Sequence, residues 1–273
     1  MSSRASLRAK LIASPYIVWS VLFIIAPLIF VVYYSFTDSS GAFSLESIRT
    51  LSKYLPTFLR SIWFGIEATL ICLIIAFPIA YIISQKTDKI QRTMILLVMV
   101  PMWMSFLIRT YSWMAILQDT GIINSVFSKL GLPQLHMINT GGAVILGMVY
   151  NFLPYMIMPI YSVMAKLDFS MLEACQDLGG NKLTVMRRCI IPMSVPGIVS
   201  GITMVFVPSV STFYISQKLG GGSFDLIGDV IERQFQQSYN YNLGASISLV
   251  LMILILASMA IMNHFSEEGE MVI

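Results

Sequence analysis

Six long apolar runs dominate this chain. They cover about residues 15–36, 61–84, 93–117, 141–164, 191–216 and 244–263. Each reaches the roughly 20 residues that a helix needs to cross the hydrocarbon core of a bilayer. Charged residues make up 11% of the chain and hydrophobic ones 56%, where a soluble domain is roughly 25% charged. The expectation is an all-α polytopic membrane protein with six transmembrane helices. A single transmembrane domain over 15–264 would lie between an N-terminal segment, 1–14, and a tail, 265–273. No stretch is polar enough for a long soluble domain.

Loop charge orients the spans. The first run follows Arg4, Arg8 and Lys10. Its apolar part is too long for a signal core and has no small-residue cleavage site, so it reads as an uncleaved first span. The segments 1–14, 85–92 and 165–190 carry ten Lys and Arg, against six over the much longer loops on the other face. The positive-inside rule therefore places the N-terminus, the 165–190 loop and the C-terminus in the cytoplasm. The acidic tail, with Glu267, Glu268 and Glu270, runs weakly against this, but acidic residues count for little in the rule. The net charge of +3 reflects loop asymmetry and does not indicate nucleic-acid binding.

The 165–190 loop reads as a helix–turn–helix. Ser170 and Glu173 have capping-box spacing, and Met171, Cys175 and Leu178 share a helical face. Gly179-Gly180 can end that helix. Asn181 can cap a second helix, with Leu183, Met186 and Ile190 on one stripe. Within this segment Glu173-Ala174-Cys175, three residues, Gly179, nine residues and Cys189-Ile190-Ile191-Pro192 resemble the "EAA" loop of ABC-importer permeases. The spacing is intact. Cys175, Cys189 and Ile191 depart from the family's residues, by small or apolar replacements. The resemblance implies a type I ABC importer permease fold. It makes this loop the cytoplasmic coupling element, with Glu173, Ala174, Asp177 and Gly179 meeting a separate ATPase. The bare alternative is an ordinary amphipathic hairpin between two spans.

Polar residues within or beside the spans are the candidates for a transport path. Glu67 lies within two turns of the outer end of the second run, where a carboxylate faces a cavity, a partner or the interface. The third run holds Pro101, Trp103, Arg109, Tyr111 and Trp113. Trp103 falls near mid-membrane, and Arg109 either snorkels outward or pairs with a carboxylate. Asp119 sits at the external mouth. The fourth run carries Tyr150, Asn151, Pro154 and Pro159, and the fifth Gly197, Gly201 and Pro208, residues that suit close packing or a kinked path. Beyond it, Asp225, Asp229 and Glu232 fall on one face of an external helix, either solvated or offered to a partner or a cation. His136 has no evident ligand neighbours.

Pro101-Met102-Trp103 with Leu107–Tyr111, and Phe213–Ser216 leading to Leu219-Gly220-Gly221 and Leu226-Ile227-Gly228, are similar to spermidine/putrescine importer permeases, the first of their two permease subunits. That resemblance implies half of a polyamine pore in a bacterial cytoplasmic membrane. Its partners would be an ATPase homodimer, a second homologous permease and an extracytoplasmic polyamine-binding protein. A polyamine cation wants carboxylates and aromatic faces, which makes Trp103, Tyr111, Glu67, Asp119 and Tyr150 the substrate-path candidates. Arg109 suits a cation poorly. It keeps open a permease of the same architecture for an anion or metal chelate, and an ATP-independent carrier or channel is the third class. No P-loop, zinc or nucleophile-elbow motif occurs. The chain is therefore expected to be non-catalytic and to hold no cofactor, with ATP and Mg bound by the partner ATPase. Three Cys without a CxxC give no disulfide framework and no metal site.

Overall fold

The computed structural model describes residues 14–167, 170, 177, 180–222 and 224–270, with 263–270 by backbone only. In chain order the helices are α1 (Ser14–Ser35), α2 (Glu46–Thr50), α3 (Leu55–Ser84), α4 (Asp88–Trp103), α5 (Phe106–Leu117), α6 (Ile122–Lys129), α7 (Gly141–Met164), α8 (Lys182–Met193), α9 (Val195–Ser211), α10 (Tyr214–Leu219), α11 (Ile227–Gln236) and α12 (Tyr241–Glu270). Among the described residues the only β contact is an isolated bridge between Thr37 and Phe43. The all-α polytopic architecture forms as expected. Four helical stretches are long and apolar enough to cross a membrane: Ser14–Ser35, Glu46–Ser84, Gly141–Met164 and Tyr241–Met262. Two bent pairs bring the number to six if each makes one span.

The bends fall inside the third and fifth apolar runs. Asp88–Trp103 and Phe106–Lys129 meet at 86°. Pro101 has no N–H to give to the carbonyl four residues back, which weakens the last turn of α4. Met104 then takes an extended conformation, with ψ of 146°. In the fifth run Lys182–Met193 and Val195–Ser211 meet at 64°. There Ser194, between Pro192 and Pro196, turns its hydroxyl onto the Ile190 carbonyl at 2.6 Å. A further break at Thr212 and Phe213 separates α9 from the short α10.

Two compact units are distinguished by their internal contacts, 1–55 with 230–253 and 56–229 with 254–273. In the first, α1 is apolar on every side and largely exposed, Phe23 by 65% and Phe30 by 61%. A helix apolar all round is one that expects lipid or protein around it. Chain leaving its C-terminal end would have unpaired carbonyls. The Asn242 amide donates to the Thr37 carbonyl at 2.7 Å, and the Ser246 hydroxyl to the Ser35 carbonyl at 3.2 Å. The turn after α1 is closed by Asp38, whose Oδ1 accepts from the backbone N–H and the hydroxyl of Ser40 and from the Ala42 N–H. These donors, the Ser40 hydroxyl foremost, hold its carboxyl below the usual range.

The second unit is built around α7. Val144, Met148, Met156 and Ile160 are wholly buried along it. On α3, Ala68, Cys72, Ala76 and Ala80 recur every fourth residue, all at 0% exposure, a small-residue stripe that admits close neighbours. The Cys72 thiol points at the Val149 carbonyl, 3.8 Å away. α9 lies along α7 through Gly197 and Gly201. A Cβ on Gly197 would sit 2.8 Å from the Pro159 carbonyl oxygen, and one on Gly201 3.2 Å from that of Met156.

Candidate functional site

The break between α4 and α5 sets the geometry of the candidate site. It leaves Trp103, the last residue of α4, 72% exposed. One turn into α5, Arg109 is buried, with 8% of its surface exposed. Its guanidinium carbon lies 6.0 Å from the centre of the Phe106 ring, within reach of the ring's negative face. Nε and Nη1 have no hydrogen-bond partner. Among the described residues Arg109 thus neither snorkels to water nor pairs with a carboxylate, the two outcomes weighed from the sequence.

Across from α5, the short helix α10 presents Tyr214 and Lys218, four residues apart and therefore on one face. The Tyr111 and Tyr214 rings stand edge-to-face with centroids 6.2 Å apart, and Phe106 lies 5.9 Å from Tyr214. The Lys218 ammonium sits over both tyrosines, 5.6 Å from the Tyr111 centroid and 5.7 Å from that of Tyr214. The result is a three-ring cluster carrying two cations of the chain itself. Among the described residues neither cation makes an ion pair. α10 is seated by α7: a side chain on Gly147 would collide with Leu219 and lie 2.8 Å from Ile215. The Asn139 N–H closes the end of α10 on the Leu219 carbonyl at 2.8 Å.

Of the residues singled out from sequence, Tyr111 belongs to this cluster. Tyr150 instead packs edge-to-face on Trp113, at 5.3 Å. Asp119 pairs with His136, whose Nδ1 lies 2.9 and 3.1 Å from the two carboxylate oxygens. His136 therefore has a partner, which 17 residues of separation concealed. Glu67 is half-buried on α3 and makes no hydrogen bond or ion pair among the described residues. Lys218 was missed as a site residue. The signal was present as the i, i+4 spacing of Tyr214 and Lys218, but the ring that completes the pair comes from α5, about a hundred residues earlier.

Two further expectations need correction. Asp229 is not part of a solvated acidic face, since it is 2% exposed. Its Oδ2 accepts from the Leu226 N–H at 2.7 Å, and the Ser61 hydroxyl accepts from the Ile227 N–H at 2.7 Å. Both bonds satisfy amides at the start of α11 that no helical carbonyl can reach. In the coupling loop, Glu173, Ala174 and Gly179 lie outside the described residues, while Asp177 is helical and exposed. Asn181 caps α8 as its spacing suggested, Oδ1 accepting from the Thr184 N–H at 2.8 Å. Leu183, however, is 75% exposed and does not share a buried stripe with Ile190; Val185 takes the inward position. No group of three or more metal-ligating side chains occurs among the described residues.

Comparison with known proteins places this geometry in a family. No family model matches the chain. The spermidine/putrescine transport system permease protein PotB of Haemophilus influenzae is 34% identical over 246 residues, covering 86% of each chain. PotB of Escherichia coli is 35% identical over 245 residues, covering 86% of this chain and 89% of that one. Among solved structures, a bacterial ABC transporter that imports the acidic polysaccharide alginate superposes with a TM-score of 0.78, at 17% identity, over 97% of this chain and 96% of that one. A transporter for alginate has also been solved in complex with a periplasmic protein carrying an alginate pentasaccharide.

Proposed function

The chain belongs to the family of spermidine/putrescine transport-system permeases, and from that premise we propose that it forms half of the translocation pore of a polyamine importer. It is a non-catalytic transport subunit with an ABC importer permease fold. In this reading a second homologous permease completes the pore. An ATPase homodimer holds ATP and Mg, and an extracytoplasmic protein delivers the polyamine. The N- and C-termini lie in the cytoplasm of a bacterium, where the 165–190 loop meets the ATPase through Glu173, Ala174, Asp177 and Gly179. The exposed Leu183 within that loop is an apolar contact for the same partner. ATP closes the ATPase dimer, the coupling loops of the two permeases approach, and the pore alternates between its two openings.

The observation that carries the substrate assignment is the ring cluster at the broken span. A polyamine alternates ammonium groups with apolar methylenes. Aromatic faces accept both, at about 0.5–2 kcal/mol for each well-placed cation. Trp103, exposed at the end of α4, and Tyr111 lie on the proposed path, with Glu67, Asp119 and Tyr150 as outer contributors. Passage of an anion or metal chelate is the second reading. It draws on the two guanidinium nitrogens of Arg109 that lack a partner, but that guanidinium is buried, its carbon 6.0 Å from the centre of the Phe106 ring. The deciding experiment is uptake of labelled spermidine and putrescine by proteoliposomes holding this chain with its ATPase, second permease and binding protein. ATP-dependent uptake, competed by polyamines and not by anions, is expected. Anion competition, or uptake without ATP, would overturn the reading.

A further inference from the structure

The geometry points to Lys218 as a tethered competitor that occupies the substrate's ammonium site between Tyr111 and Tyr214 when the pore is empty. This rests on the polyamine reading and extends it to a named site and a residue that regulates it. The Lys218 ammonium is within 5.7 Å of both ring centres, and two faces converging on one cation make a preformed ammonium site. The rings are not sealed inside the chain, since Tyr111 is 45% exposed and Tyr214 is half-buried. A soluble cation can therefore reach the position that Lys218 holds. No carboxylate pairs with Lys218 among the described residues; its attachment there consists of the two rings and a hydrogen bond with the Tyr111 hydroxyl, contacts that an incoming ammonium can make equally well.

The side chain also matches the proposed substrate chemically. A lysine carries its ammonium on a flexible four-carbon stem, the same aminobutyl unit that putrescine and one arm of spermidine present. Lys218 is one turn beyond Tyr214 on α10, and α10 is seated on Gly147 of α7 through Leu219 and Ile215. The backbone under Lys218 is thus fixed while its stem is free to swing. When an aminobutyl cation enters, Lys218 leaves the rings, and when the cation departs, Lys218 returns. The resting pore then never leaves an empty cation site for potassium or other small cations, and substrate release is assisted by the returning lysine.

The test uses the membrane complex, this chain with its ATPase and second permease, in nanodiscs without nucleotide and without the binding protein, with labelled putrescine as the probe. Lys218→Gln is expected to tighten putrescine binding about tenfold. Lys218→Arg, which restores a cation, returns it to within about twofold of wild type. Adding Tyr214→Leu to Lys218→Gln removes the gain. Unchanged or weaker binding in Lys218→Gln, with the complex still co-eluting, overturns the proposal and leaves Lys218 as a structural i, i+4 contact. If Lys218→Gln does not assemble, Tyr214→Leu alone decides: weaker binding supports the site and unchanged binding overturns it. Wild-type proteoliposomes are assayed in parallel. Absence of ATP-driven putrescine uptake there would remove the polyamine reading itself, and normal uptake with an unaltered Lys218→Gln affinity would remove only the competitor.

Discussion

Replacing Gly197 by Val should separate α7 from α9, the closest helix pair in the second unit. The first added atom, Cβ, would lie 2.8 Å from the Pro159 carbonyl oxygen, 3.1 Å from the Ile160 Cα and 3.0 Å from Val163 Cγ2. Two of those three neighbours are backbone and cannot rotate away. Ordinary contact lies at roughly 3.5–4.0 Å, so the helices must part by about 0.7 Å. A gap of that size forfeits a quarter to a half of the dispersion well for each atom pair it opens. The gap would extend to Gly201, which meets Met156 one turn along. Overpacking costs about 1–3 kcal/mol, and the better helix propensity of Val over Gly returns a few tenths. The net loss is about 2 kcal/mol, which for a domain of this size lowers the melting temperature by roughly 4–8 °C. Gly142→Ala is the control, because its nearest neighbour is the Thr140 hydroxyl at 3.9 Å. Thermal unfolding of the purified chain in detergent should rank wild type and Gly142→Ala together and Gly197→Val well below. Equal melting of all three would refute the backbone contact between α7 and α9.

Asp229→Ala should leave the Leu226 N–H buried without an acceptor, costing about 1–3 kcal/mol; an unshifted melting curve would mean that the α11 start is satisfied otherwise. Under the proposed coupling role, Gly179→Val should abolish ATP-driven uptake, since it replaces the glycine of the Glu-Ala-Cys…Gly spacing by a β-branched residue, and normal uptake would remove the coupling assignment from that loop. Trp103→Ala should lower the uptake rate several-fold while the complex still co-purifies, and unaltered uptake kinetics would take Trp103 off the path.

The membrane class, the all-helical architecture and the family were legible in the chain alone. Run length against bilayer thickness is a one-dimensional constraint, and the spacing from Glu173 to Pro192 is local. Caps were legible for the same reason: Asn181 reaches a backbone amide three residues away, a distance sequence can express. The breaks were only half-legible, since Pro101, Pro192 and Pro196 mark weak points but the 86° and 64° bends depend on what the flanking helices pack against. The ring cluster was not legible. Tyr111 and Tyr214 are about a hundred residues apart and meet only because Gly147 lets α10 sit against α7. Lys218 counts from sequence only as one of the six Lys and Arg in the loops of the outer face, yet its ammonium lies over two rings, and Asp229 reads as part of an acidic helix face, yet its carboxylate is buried on a helix start. Sequence determines which segments must be helical and which ends need caps, because those demands are met within a turn or two of chain. Only the tertiary structure decides which polar groups share a site, because burial and long-range contact belong to the packing of helices distant along the chain.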